Sequence, residues 1–161
     1  ISNLFFCDYF FGVSSFNSYS IMKKFIQIST KPGFLKYNGG LLFRKISKSK
    51  FEFKTKIKKI HLNRAKNVHG GYICSIIDAG SGTAAHSCIN GKSCVTISLD
   101  VKFISPSKLN DEINGYVTIS KKTNSLVFLS CMLKSKKKII ASSTGIWKIL
   151  NYKVSGSGYG G

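Results

Sequence analysis

Acidic residues are scarce in this chain. Asp8, Glu52, Asp78, Asp100, Asp111 and Glu112 stand against 25 Lys and Arg in 161 residues, a formal net charge of +19. A surface of that sign draws polyanions, whether nucleic acid, anionic lipid or a phosphate-bearing ligand. Lysines spread along most of the chain are equally what a solvated basic surface contains without any such partner. Arginine is nearly missing, with only Arg44 and Arg64, and nucleic-acid recognition by clustered arginines and aromatics is disfavoured accordingly. The five cysteines are odd in number and form no Cys-x-x-Cys pair, which argues against a disulfide framework or structural zinc and predicts a reduced, intracellular, cytoplasmic setting. No run of 18 uncharged apolar residues is present, so no membrane-spanning helix is expected. There is no Gly-x-Ser-x-Gly elbow, P-loop or dinucleotide fingerprint. His61 and His86 lack acidic or Cys partners at ligand spacing, so no metal is expected.

What is present suffices for one domain: 43% of the residues are hydrophobic, enough for a real core. Residues 1–21 begin with Ile1 rather than Met, and Met22 heads an ordinary-looking start. They are expected to lie outside the domain, as upstream translation or a leader; the Ser- and Lys-rich, acid-poor stretch up to Lys50 leaves organelle targeting as the alternative. Residues 151–161 read as a flexible Gly/Ser tail. Between them, over 22–150, residues 41–46 and 51–60 alternate as strands, the second with Phe51, Phe53, Thr55 and Ile57 on one face and Glu52, Lys54, Lys56 and Lys58 on the other. From Gly71 to about residue 89 the spacing becomes helical, with Ile73, Ile76, Ile77, Gly80 and Ala84 on one stripe. Strands follow at 95–104, 112–121, 125–134 and 139–150. This order predicts an α+β domain in which an antiparallel sheet wraps around one long central helix, the only element available to cover it. Open strand edges predict pairing across a two-fold axis, hence a homo-oligomer.

Asp78 is the informative residue: a chain poor in acids places one inside an apolar helix. At 100° per residue, Gly71, Cys74, Ser75, Ser81, Gly82 and Ala85 fall within about 60° of it, while the isoleucines point away. Such a stripe admits a ligand or a second subunit to the helix backbone and offers a carboxylate a partly desolvated position. A carboxylate pointing to solvent, or paired with a nearby Lys, is the plainer alternative. Gly70 and Gly71 stand at the helix start, where N–H groups lack partners and the dipole is positive, so an oxyanion could be held there; a tight strand-to-helix turn needs the same residues. His69 beside them fits a base, a metal ligand or a structural hydrogen-bonder.

The run from Asn63 through His69-Gly70-Gly71, then Asp78 within Ile76-Ile77-Asp78-Ala79, then Val95-Thr96-Ile97-Ser98-Leu99 and Ser105-Pro106, resembles the hotdog-fold acyl-CoA thioesterases of the PaaI and 4-hydroxybenzoyl-CoA type. The likeness covers roughly residues 32–150. It implies a hotdog fold and hydrolysis of an acyl-CoA to free acid and coenzyme A, with no cofactor beyond the coenzyme A of the substrate. By the resemblance, Asp78 is the catalytic base or nucleophile and the Gly70 N–H polarises the thioester carbonyl. Asn63 positions the thioester or the attacking water, Thr96 orients that water, and His69 supports the loop. Gly71 belongs to the substrate-binding set, with Lys121, Lys122 and Ser125 of a basic turn where relatives contact coenzyme A phosphates; an ordinary basic hairpin turn is the competing reading. The resemblance also implies a site shared between two copies, in a dimer or a dimer of dimers. Gly82 departs from relatives that carry a hydroxyl one turn after the carboxylate.

Two other functions compete. A non-catalytic hotdog protein could hold acyl-CoA or acyl-carrier protein without turnover, but it has no need to keep a base and an oxyanion donor together. Nucleic-acid binding through the net charge ranks behind it, and dehydratase chemistry, which uses a His-centred arrangement, is disfavoured too.

Overall fold

A computed structural model of the protein describes residues 24–28 and 30–151; the expectations for residues 1–21 and for nearly all of 151–161 lie outside them. Seven strands form one antiparallel sheet: β1 (Ile26–Ile28), β2 (Leu41–Lys45), β3 (Lys50–Lys56), β4 (Cys94–Phe103), β5 (Glu112–Lys122), β6 (Leu126–Ser135) and β7 (Lys138–Ile149), in the order β1-β2-β3-β5-β6-β7-β4. A short helix α1 (Phe34–Tyr37) precedes β2, and the long helix α2 (Gly70–His86) lies between β3 and β4. The sheet wraps α2 as expected.

Period-two alternation explains the sheet's two faces. Ile113 and Val117 of β5, Val127, Leu129 and Leu133 of β6, and Trp147 of β7 are buried, whereas Glu112, Tyr116, Met132 and Lys148 face outward. From the other side, Ile73, Ile76, Ile77, Gly80 and Ala84 of α2 are buried against this face. Gly80 and Gly115 are required at the contact. A Cβ on either would stand 2.2 or 2.1 Å from the Phe53 ring, well inside van der Waals contact. Phe53 therefore inserts between helix and sheet only because two facing positions lack side chains.

Three expectations need correction. The strand expected to run to residue 60 ends at Lys56: Ile57 leaves the ladder to bond Asp111 and Asn110, and residues Lys59–His61 turn as a 3-10 helix. Glu52, placed with the lysines on the outer face, is buried. Arg44 is its register partner on β2, and the guanidinium Nε donates to the Glu52 carboxylate at 2.7 Å. The small-residue stripe is open only in its first half: Gly71 is exposed and Cys74 and Ser75 half-buried, but Ser81, Gly82 and Ala85 are buried within the chain's own core. β1 and α1 were not anticipated.

β4 is an edge strand. One side pairs with β7, with a register shift between Thr96 and Ser98, and the other is unpaired among the described residues. Val95, Ile97 and Phe103 on it are 41, 54 and 60% exposed, an apolar edge of the kind that folded monomers avoid.

Candidate active site

The start of α2 is built by its neighbours in sequence. His69 is the N-cap in extended conformation, and its Nδ1 accepts the Gly71 N–H at 2.9 Å. That nitrogen must be unprotonated, which puts the ring hydrogen on Nε2. The N–H groups of Tyr72 and Ile73 reach the His69 carbonyl. The Gly70 N–H alone in this first turn makes no hydrogen bond to a described residue. A donor left over at the positive end of a 17-residue helix is suited to an anionic oxygen.

The two glycines differ in what the fold asks of them. On Gly71 a Cβ would press on the His69 ring at 3.0 Å, so the cap accounts for that glycine. On Gly70 it would meet only the Phe103 ring at 3.5 Å, ordinary contact, and Gly70 does not have positive φ. Neither packing nor backbone geometry requires glycine at position 70. A cleft of about 370 Å³ opens beside it, walled by Val68 and Ile73 on one side and by Phe103, Ile104 and Ile140 on the other.

Further along α2, Asp78 is half-buried, and the Thr96 hydroxyl of β4 donates to its Oδ1 at 2.7 Å. Thr96 thus holds the carboxylate itself, where the resemblance suggested a water. Eight residues separate Gly70 from Asp78, which at 1.5 Å per residue is about 12 Å along the helix. One carbonyl cannot touch both groups of the same chain.

The other expected residues fall into two places. Asn63 is exposed; its Oδ1 accepts the Asn67 N–H at 3.1 Å, closing the loop that leads to His69. Lys121, Lys122 and Ser125 are exposed at the β5–β6 turn, where Lys122 Nζ donates to the Cys88 carbonyl at 2.9 Å. This is the C-terminal end of α2, so Lys122 already serves as a cationic cap there. Asn63, His69, Gly70 and Gly71 gather at one end of α2, Asp78 and Thr96 midway, and the basic turn at the far end.

Sequence reading overlooked the support beneath the helix start. His61 is buried and stacks on Tyr72 at 3.8 Å between ring centres. Its Nδ1 accepts the Lys58 N–H at 3.0 Å, Nε2 lies 2.9 Å from the Asn38 carbonyl, and its own carbonyl accepts the His69 N–H at 2.8 Å. Burial pushes the His61 pKa below its usual value. No local pattern signals the contacts with Asn38 and Tyr72, which come from other elements. Phe103 was also missed, although an apolar pair just before Ser105-Pro106 hints at it. Thiol chemistry is poorly served: burial pushes Cys88 up to about 11 and Cys131 to about 12. Among the described residues no cluster of three His, Cys, Asp or Glu side chains is placed to hold a metal, and no helix is long and apolar enough to cross a membrane.

Comparison with known proteins bears on the family and the fold. Residues 65–141 match the thioesterase superfamily model. A putative esterase of Pseudomonas aeruginosa is 26% identical over 95 residues, covering 58% of this chain and 71% of that protein. Mouse acyl-coenzyme A thioesterase 13 is 30% identical over 88 residues, covering 53% and 63%; the chain spans less than two thirds of that relative. Among solved structures, zebra fish thioesterase superfamily member 2 superposes with a TM-score of 0.69 at 21% identity, over 76% of this chain and 90% of that one. A hypothetical thioesterase protein from Streptococcus pneumoniae, crystallised with coenzyme A, gives 0.65 at 18%, over 71% and 89%. Over residues 65–141, from the central helix into the strands that follow, the chain is thus similar to the thioesterase superfamily, and its fold is the hotdog fold of these thioesterase structures.

Proposed function

We propose that the protein hydrolyses an acyl-CoA thioester to the free acid and coenzyme A, in a site assembled from two copies of the chain. The observation that carries this reading is the Thr96–Asp78 bond, which fixes the helix's single carboxylate on a half-buried face. The unspent Gly70 N–H and the cleft beside it supply the complementary half. Because about 12 Å separates the two along one helix, Asp78 of one copy works with Gly70 of another. The exposed edge of β4 is the surface available for that pairing, and tetramers would be dimers of such dimers.

As general base, Asp78 takes a proton from water while the water oxygen bonds to the thioester carbon. The carbonyl electron pair moves onto oxygen, which the partner's Gly70 N–H and the helix dipole stabilise. Collapse of this intermediate breaks the C–S bond, and the departing thiolate recovers the proton from Asp78. As nucleophile, Asp78 would bond to the carbon, expel the thiolate and leave an anhydride for water to open. Thr96 keeps Oδ1 occupied in either case and directs Oδ2 at the substrate. Asn63, its oxygen held by Asn67, has an amide N–H₂ to offer the thioester, and Gly71 keeps the approach to the helix start clear. Lys121 and Ser125, with Lys122 where it is not held by Cys88, are assigned to the phosphates of coenzyme A. Similarity to a mouse acyl-coenzyme A thioesterase and to a fold crystallised with coenzyme A supports the substrate class.

The test is thiol release from a panel of acyl-CoA thioesters by the purified chain and by Asp78→Asn. Turnover by the wild type and a fall of two or more orders of magnitude in the variant, with oligomeric mass unchanged, supports the reading. Binding of acyl-CoA without thiol release by either protein would instead make it a carrier of acyl-CoA or acyl-carrier protein. Single turnover in ¹⁸O water identifies the nucleophilic role if label enters the Asp78 carboxylate, which happens when water opens the anhydride at the Asp78 carbonyl and cannot happen by general-base attack.

A further inference from the structure

Three turns meet at one end of the sheet: residues 57–61 after β3, residues 104–111 between β4 and β5, and the β6–β7 turn. Hydrogen bonds tie them together. The Asn110 N–H bonds the Ile57 carbonyl at 3.2 Å, and Lys138 Nζ donates to the Pro106 carbonyl at 2.9 Å. Asn67 bridges to Lys108, which brings in the loop carrying Arg64 and Lys66. From this end project the exposed side chains of Lys59, Lys108, Lys136 and Lys137. Between them stand Ile60, 65% exposed, and Leu109 and Ile139, each 37% exposed. The acids here are already engaged. Asp111 accepts from Ser107 Oγ and the Lys108 N–H, both at 2.9 Å, and Glu112 pairs with Lys54 at 3.5 Å.

We propose that this end of the sheet is a docking surface for an anionic lipid bilayer. Aliphatic tips carried on separate turns and surrounded by lysines fit the boundary between headgroups and acyl chains, where apolar burial and attraction to anionic headgroups act together. Charge alone does not single this end out: the opposite end is also basic, with Lys50, Lys92 and Lys148 exposed. What distinguishes the docking end is the extent of its apolar exposure: Ile60 at 65% and Ile104 at 54% stand among its lysines, where the opposite end offers Ile46 and Val95 at 38 and 41%. A nucleic acid would be served by arginine and stacking aromatics, and the three tips are aliphatic. The surface adjoins the cleft, since Ser107 and Ile140, next to Lys108 and Ile139, line it.

The two ends form a matched pair for testing. β7 has 12 residues, so at about 3.3 Å each they lie roughly 40 Å apart, several times the ~8 Å screening length. Vesicles containing phosphatidylserine are sedimented with the full chain, against pure phosphatidylcholine vesicles. Wild type is expected to bind the former and not the latter. Lys108→Gln, Lys136→Gln and Lys137→Gln together should weaken binding roughly a hundredfold, while Lys50→Gln, Lys92→Gln and Lys148→Gln, with the same loss of charge, should leave it unchanged. Ile60→Ser with Leu109→Ser should weaken it at least about tenfold without altering the mass by light scattering or the circular dichroism. Equal losses from the two lysine sets would overturn the proposal in favour of diffuse attraction. So would undiminished binding by the serine variant. A changed mass in that variant would make the face a contact between copies, and tighter binding to an oligonucleotide than to vesicles would make the partner a nucleic acid.

Discussion

Substituting alanine at Gly70 and at Gly80 should separate chemistry from folding within one helix. At position 80 the new methyl would stand 2.2 Å from Cδ1 and Cε1 of Phe53, and overpacking of that kind costs about 1–3 kcal/mol. For a domain of this size that lowers Tm by roughly 2–12 °C. At position 70 the methyl would lie 3.5 Å from Phe103, and exchanging Gly for Ala at an unstrained helical position favours folding by up to about 1 kcal/mol. Gly70→Ala should therefore melt at or slightly above the wild-type temperature. Its activity should nonetheless fall by about a hundredfold in kcat/KM, because a methyl beside the donor holds the thioester carbonyl back by about 1 Å. Melting curves and thiol release on the same preparations provide both numbers. A Gly70→Ala protein with wild-type kcat/KM would show that no carbonyl approaches this N–H, and a Gly80→Ala protein with undiminished Tm would refute the packing of Phe53.

Three other outcomes are expected. Thr96→Val removes a hydrogen bond to a half-buried carboxylate and should reduce kcat by about tenfold to a hundredfold, the equivalent of about 1.5–3 kcal/mol, with KM nearly constant; an unaffected kcat in steady-state assays would show that Asp78 needs no such support. Ile97→Lys puts a charge on the open edge of β4, so light scattering should report monomers and thiol release should disappear with the dimer, whereas an active monomer would refute a shared site. His61 and His86 are both held below the usual histidine pKa by burial, so the folded chain binds fewer protons than the unfolded one. Their contribution to stability is full above about pH 6.5 and declines as pH falls below it, levelling out beneath their folded values. Urea midpoints between pH 8 and pH 5 should drop accordingly, less steeply in His61→Gln, and a midpoint that rises toward pH 5 would contradict the burial of these rings.

What the sequence made legible were the features with a local period. The isoleucine stripe of α2 and the alternation of β5, β6 and β7 specify a helix against an antiparallel sheet, and the shortage of acids drew attention to Asp78. Features set by distant contacts were hidden. Glu52 alternates outward with its lysine neighbours, and nothing nearby reveals that Arg44 lies across the ladder to cover it. The stripe of Gly71, Ser75 and Ser81 looks uniform on a wheel, yet the sheet curls over its second half and buries Ser81. His61 appears isolated in sequence because its partners, Asn38 and Tyr72, come from other elements. Thr96 and Asp78 could each be singled out from their motif, but not their bond, which depends on how β4 passes the helix.

The choice of an imidazole to cap α2 has an electrical consequence. Helix starts are commonly closed by Asp, Ser, Thr or Asn, and an aspartate there would place a full negative charge against the first turn. Such a charge would neutralise the local field and repel any second anion. His69 occupies the same position through a neutral nitrogen, satisfying the Gly71 donor while leaving the potential at the helix mouth unquenched. The first turn is thus mechanically closed but electrically open, and a negative charge arriving at Gly70 meets the helix's undiminished positive end.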